Sequence, residues 1–196
     1  MLDVGARLRA PGLLTAVPTL AGGYYYSTNP NGGAVSTLQY ARNRLVMLPC
    51  LFVQQTVIAE LGIWVVTGGG AGATLRLVMY SDFNGKPLFR MITLGATAAT
   101  SDNTAIYWNS SNANTFPYTV TPGVYWFGQL NQGSDTSVQT AGYANANTYP
   151  VACLARPSSS TGIGSQYQDG ITGAPSSRAS TGGNLASCPQ IWYKTQ

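Results

Sequence analysis

Turn residues recur along most of this chain at intervals of about ten positions, too closely for ordinary helices to fit between them. The stretches they bound alternate in polarity. In Ala73 to Ser81 (ATLRLVMYS), Leu75, Leu77 and Met79 fall on one side, and Thr74, Arg76, Val78 and Tyr80 on the other. The turn DFNGKP follows, with the hairpin dipeptide Asn84-Gly85 at its centre. GGYYYS reads as a short strand, and Arg44 to Ile58 as two short strands broken at Pro49. Leu61 to Thr67 (LGIWVVT) runs into the turn GGGAG. Leu88 to Leu94, Thr104 to Trp108, Tyr118 to Val120, VYWFGQL after Pro122-Gly123, and Ile191 to Lys194 complete the set. No segment offers a convincing amphipathic helix. The pattern predicts an all-β protein, an antiparallel β-sandwich of jelly-roll type, spanning residues 22–196.

Two segments stand outside that pattern. Residues 1–21 show neither alternation nor a helical period, and Pro11 and Pro18 interrupt both. Such a segment orders only by packing on something else, so it reads as an extended N-terminal docking arm. Arg7, Arg9, Leu13 and Leu14 on the arm, with Tyr24, Tyr25 and Tyr26 just after it, are the expected contacts to a partner, since Tyr is enriched at interfaces. Asp3 in the would-be basic region and Pro18 in the apolar run argue against a signal peptide. Residues 156–188 are rich in Ser, Thr and Gly. They precede the apolar Ile191-Trp192-Tyr193 and read as a long surface loop.

Composition narrows the function. Only 8% of residues are charged, against an ordinary quarter or so, which suits a surface packed into an assembly or an extracellular adhesin. The net charge of +4 reflects six acids rather than many bases. Arg7/Arg9 and Arg42/Arg44 are the close basic pairs, and no basic stripe suggests nucleic acid. No run approaches the ~18 apolar residues of a membrane span. Cys50, Cys153 and Cys188 form neither a disulfide framework nor a zinc pattern, and read as buried thiols of a protein assembled in a reducing cytoplasm.

The same reading leaves little for catalysis, metals or cofactors. There is no His, which removes Ser-His and Cys-His nucleophile pairs and His-ligated metals. The acids are Asp3, Glu60, Asp82, Asp102, Asp135 and Asp169, with Glu60 expected to be solvated or Arg-paired at a strand edge. GGGAGA (68–73) joins two strands and lacks the helix a phosphate loop needs. Asp82 to Gly85 resembles a calcium loop, but an Asx-stabilised turn accounts for the same residues. Arg76 is expected to point to solvent or a neighbouring subunit, with an ion pair to Glu60 or Asp82 as the alternative. Trp126 should face opposite to Tyr125 and Phe127, with one side core and the other open to a partner or sugar ring. Trp64, Trp108 and Trp192 read as core residues.

From about Leu45 onward the chain resembles a β-sandwich module of tailed-bacteriophage head-appendage, tail and fibre proteins. The resemblance rests on LPCLFV, VIAELGIWVVT, GATLRLVMYSD with the turn NGKP, TPGVYWFGQLNQG and DGITGAP. Residues 44–133 carry it most firmly. Two departures are Lys86-Pro87-Leu88 where the turn usually ends in Pro-Gly, and Cys50 where an aromatic is usual. The resemblance implies a virion protein, commonly homotrimeric and assembled in the host cytoplasm, and the missing His and scarce acids argue that it is not an enzyme. Its partners would be other copies of itself and other virion proteins of the capsid, fibre or tail. A host-surface glycan at a tail or fibre tip is the alternative, with Asn145-Ala146-Asn147 as a candidate contact. No cofactor, nucleic acid or membrane is implied.

Overall fold

The computed structural model describes residues 25–27, 35–133, 138–143, 165–180, 182–185 and 187–196. Among these there is no helix. The strands are β1 (Tyr25–Ser27), β2 (Val35–Gln39), β3 (Leu45–Phe52), β4 (Thr56–Thr67) and β5 (Thr74–Phe83). They continue as β6 (Lys86–Thr93), β7 (Thr97–Ala98), β8 (Thr104–Asn109), β9 (Tyr118–Val120) and β10 (Gly123–Gln132). The last are β11 (Gln139–Tyr143), β12 (Ser165–Gln168), β13 (Gly183–Leu185), β14 (Cys188–Pro189) and β15 (Ile191–Thr195).

They form two antiparallel sheets packed face to face, as the alternation predicted. The larger sheet runs β1-β15-β4-β11-β14, with β8 and β9 also paired to β4 and β2 to β11. The smaller runs β13-β12-β3-β10-β5-β6, with β7 paired to β5. Between them lies the main core. Leu48, Phe52, Leu75, Leu77, Met79 and Phe127 come from the smaller sheet, and Ile58, Leu61, Ile63, Val65, Ile191 and Tyr193 from the larger. An aromatic cluster joins the layers: the ring of Phe52 lies 5.3 Å from Tyr193 and 6.1 Å from Phe127. At one end the join is polar. Thr140 of β11 donates to Gln129 Oε1 at 3.1 Å, and Gln129 donates to Asn131 Oδ1 at 2.6 Å, all three residues being buried. The network satisfies groups that would otherwise be costly to bury.

Trp126 does face away from Tyr125 and Phe127, but that side of the smaller sheet is not open. Leu45, Met47, Val78, Tyr80, Trp126 and Leu130 form a second buried cluster there, closed by Ile171 with Ala179 packed against it. Residues 169–180 thus make a strap across the outer face of the sheet. The strap carries few apolar side chains, and hydrogen bonds hold it. Tyr80 donates its hydroxyl to Ser176 O at 3.0 Å, Gln132 donates to Ile171 O and Gly173 O, and Arg90 donates to Pro175 O. Within the segment read as a loop, β12, β13 and the first residue of β14 lie in strands, so parts of 156–188 belong to the sheets.

Two further expectations change. Pro49 does not break a strand: β3 runs through it, with Pro49 opposite Trp126. The β12 ladder covers only Leu45, Val46 and Met47, so at Pro49 the missing N–H faces no described partner strand. Arg76 is half-buried rather than solvent-facing. It donates to Leu94 O at 2.9 Å, leaves its Nε buried without a partner, and pairs with neither Glu60 nor Asp82. Burial and the neighbouring Arg90 both lower its pKa.

The start of the strap is pinned by an ion pair, Arg44 Nε to Asp169 at 2.6 Å, with the guanidinium 4.4 Å from the Tyr167 ring centre. Arg44 holds the Asp169 carboxyl below its ordinary 3.8. A depressed native pKa contributes stability above the unfolded pKa, and that stability is lost as pH falls through the native value. Both groups touch water, so the contribution is about 0–1 kcal/mol. Asp169→Asn should therefore lower the urea midpoint slightly at pH 7, and the gap from wild type should close below about pH 4. A gap that persists in acid would show that the pair is not its source.

Candidate functional site

The described carboxylates are each engaged in the fold. Asp82 accepts from Gly85 N–H at 3.1 Å with one oxygen and from the Trp126 indole N–H at 2.7 Å with the other. Asn84 and Gly85 both have positive φ (53° and 76°), as a type I′ hairpin turn requires, so the DFNG segment is the Asx-stabilised turn. Asp102 accepts from Gly68 N–H at 2.7 Å, and Asp169 holds Arg44. Glu60 is neither solvated nor Arg-paired. It is 8% exposed and accepts from Asn109 Nδ2 at 2.8 Å. No group of three or more His, Cys, Asp or Glu that could hold a metal occurs among the described residues.

Of the expected contact residues, Arg7, Arg9, Leu13, Leu14 and Tyr24 lie outside the described residues, as do Asn145 to Asn147 and Cys153. Tyr25 and Tyr26 lie on β1, whose backbone pairs with β15 at Lys194 and Tyr193. Of the expected contacts, the structure describes only the backbone of these two.

It assembles a different group. In β4, Ile63 and Val65 enter the core, which turns Trp64 outward, 42% exposed. In β8, Ile106 and Trp108 enter the core, which turns Tyr107 outward, 47% exposed. In β15, Ile191 and Tyr193 enter the core, which places half-buried Trp192 on the same outer face. Trp108 is thus the core residue expected, whereas Trp64 and Trp192 are not. The register sets the outward residues side by side: Trp192 and Tyr107 both pair with Gly62, and Lys194 and Asn109 both pair with Glu60. Adjacent strands lie about 4.8 Å apart, so each row is roughly 10 Å wide.

Gly62 is required for this arrangement. The space a Cβ would need there is filled by the Trp192 indole, at Cζ2, Cη2 and Cε2. The outer face of the larger sheet therefore carries a floor of aromatic surface, with a carboxylate–amide pair along one side. The sequence expectation puts Trp64 and Trp192 in the core and does not single out Tyr107, although strand alternation is the signal that could have found each of them. The pairing that gathers them was not readable from the sequence.

No protein-family model matches the chain, and no curated protein matches it either.

The two described cysteines, Cys50 and Cys188, are buried. Burial pushes the Cys50 thiol from 9.0 up to about 12, which removes the thiolate a nucleophile needs. Iodoacetamide at pH 8 should leave the Cys50 peptide unmodified in the folded protein and alkylate it once urea unfolds the chain. Rapid labelling in buffer, read by peptide mass spectrometry, would contradict this burial. The same raised pKa implies that stability declines as pH rises above 9.0, because the unfolded thiol ionises first.

Proposed function

We propose that this chain is a structural, non-enzymatic virion protein of a tailed phage, a homotrimer that decorates the head or forms part of a head or tail fibre. The observation that carries this reading is where the family-like segments lie. TPGVYWFGQLNQG supplies β10, which is flanked in one sheet by LPCLFV in β3 and GATLRLVMYSD in β5. DGITGAP begins the strap across that same sheet. Four of the five segments behind the resemblance thus lie together on the smaller sheet, and the fifth, VIAELGIWVVT, supplies β4 of the larger sheet packed against it. The absence of His from the sequence and the structural use of the described carboxylates also favour a binding or scaffolding role.

A second reading, a module that binds host-surface glycan, is favoured by the exposed aromatic face of the larger sheet. Immunogold electron microscopy of purified virions with antibody to this chain tests both. Gold over the head would identify a decoration or head-fibre protein, and gold at the tail tip would favour the glycan-binding reading. Unlabelled particles, with the antibody active on the purified chain, would overturn the virion assignment.

A further inference from the structure

We infer that the outer face of the larger sheet is a carbohydrate site, with Trp64, Tyr107 and Trp192 as the stacking floor and Glu60 with Asn109 as the hydroxyl-binding edge. This rests on the glycan-binding reading and supplies its site and ligand class. The floor is built rather than incidental. Three strands from distant parts of the sequence each turn an aromatic to this face, and a glycine at the centre lets one indole lie against the backbone.

The chemistry beside the rings selects the occupant. A pyranose has an apolar C–H face that covers an aromatic ring, and an equatorial belt of hydroxyls that both donate and accept. Glu60 is acceptor-only, and half-buried Asn109 donates to it and accepts from Ser111 N–H, leaving its second amide N–H for a ligand while these bonds hold the pair in place. A nucleic acid would also stack on aromatics, but the polar row offers its phosphates one base, Lys194, offset by Glu60. A protein partner would have to cover Lys194 beside the rings, and charged groups are depleted at interface centres. One acid and one base, Glu60 and Lys194, share the polar row, so the face is charge-balanced. The ligand class is therefore a neutral or N-acetylated hexose chain, and a floor about 10 Å wide accommodates one or two rings.

The test uses the full chain on an array of neutral and N-acetylated hexose oligosaccharides drawn from bacterial surface polysaccharides. Binding constants for the retained oligosaccharides are then measured by calorimetry. Trp64→Ala and Tyr107→Ala remove exposed side chains and should leave the thermal midpoint within a few degrees, while each weakens binding at least tenfold. Glu60→Gln keeps the shape and should weaken it at least threefold. Because Glu60 is buried, the two aromatic variants decide the matter if Glu60→Gln melts early. Wild-type affinity in both aromatic variants would overturn the site but leave glycan binding elsewhere on the chain. Absence of binding to every oligosaccharide on the array would overturn the site together with the glycan-binding reading.

Discussion

Burial of both faces of β3, β5 and β10 is the constraint on which the rest of the structure depends. An antiparallel sheet ordinarily buries one face and wets the other. Here one face packs on the larger sheet, while the other carries Leu45, Met47, Val78, Tyr80, Trp126 and Leu130 and must also be covered. Fully burying a side chain of this kind contributes about 1.5–3 kcal/mol, so an uncovered second face would forfeit a large part of a domain's margin. The strap from Asp169 to Ser180 meets that need with little apolar material of its own. Ile171 closes the cluster, and the backbone carbonyls of Ser176, Gly173 and Pro175 accept from Tyr80, Gln132 and Arg90. A Gly- and Ser-rich sequence suits the task, because a carbonyl-presenting strap must lie close to the sheet.

This explains what was legible in the sequence and what was not. Strands with one face in the main core and clean alternation, such as β5 and β15, could be read directly, and β10 was recognisable from its aromatics and the Pro-Gly before it. Pro49 misled because proline marks a break only where both sides of a strand need donors, and β3 has a described ladder partner on one side there. The segment 156–188 reads as loop by composition, yet β12 and β14 are held by β3 and β11, far away in the chain, and β13 adds onto β12. The aromatic face was half legible. Alternation alone puts Trp64, Tyr107 and Trp192 opposite core residues, but only the registers of β8 and β15 on β4 bring them around Gly62. The bonds of Arg76 to Leu94 O and of Glu60 to Asn109 were not readable for a related reason: they are made by tertiary neighbours.

Few charges also shape the sheet's edge. β6 has β5 as its strand partner on one side, and edge strands invite unwanted pairing. Its defences are irregular pairing with β5 at two places, Pro87 near its start, and a single bridge from Phe89 to Arg178 of the strap. The Arg178 guanidinium sits 5.7 Å from the Phe89 ring centre and covers part of an exposed aromatic. The strap therefore serves the sheet twice, as a lid on its face and as a guard on its edge.

The place of β15 in the larger sheet sets the timing of folding. Ile191–Thr195 pairs with β4 on one side and β1 on the other, and delivers Tyr193 into the aromatic cluster. Until those residues leave the ribosome, β4 lacks one neighbour and Phe52 lacks its partner across the layers. Early segments must therefore wait, unsealed, for late ones, and pairings so distant in sequence are slow to close. The sandwich is therefore complete only once β15 has been made.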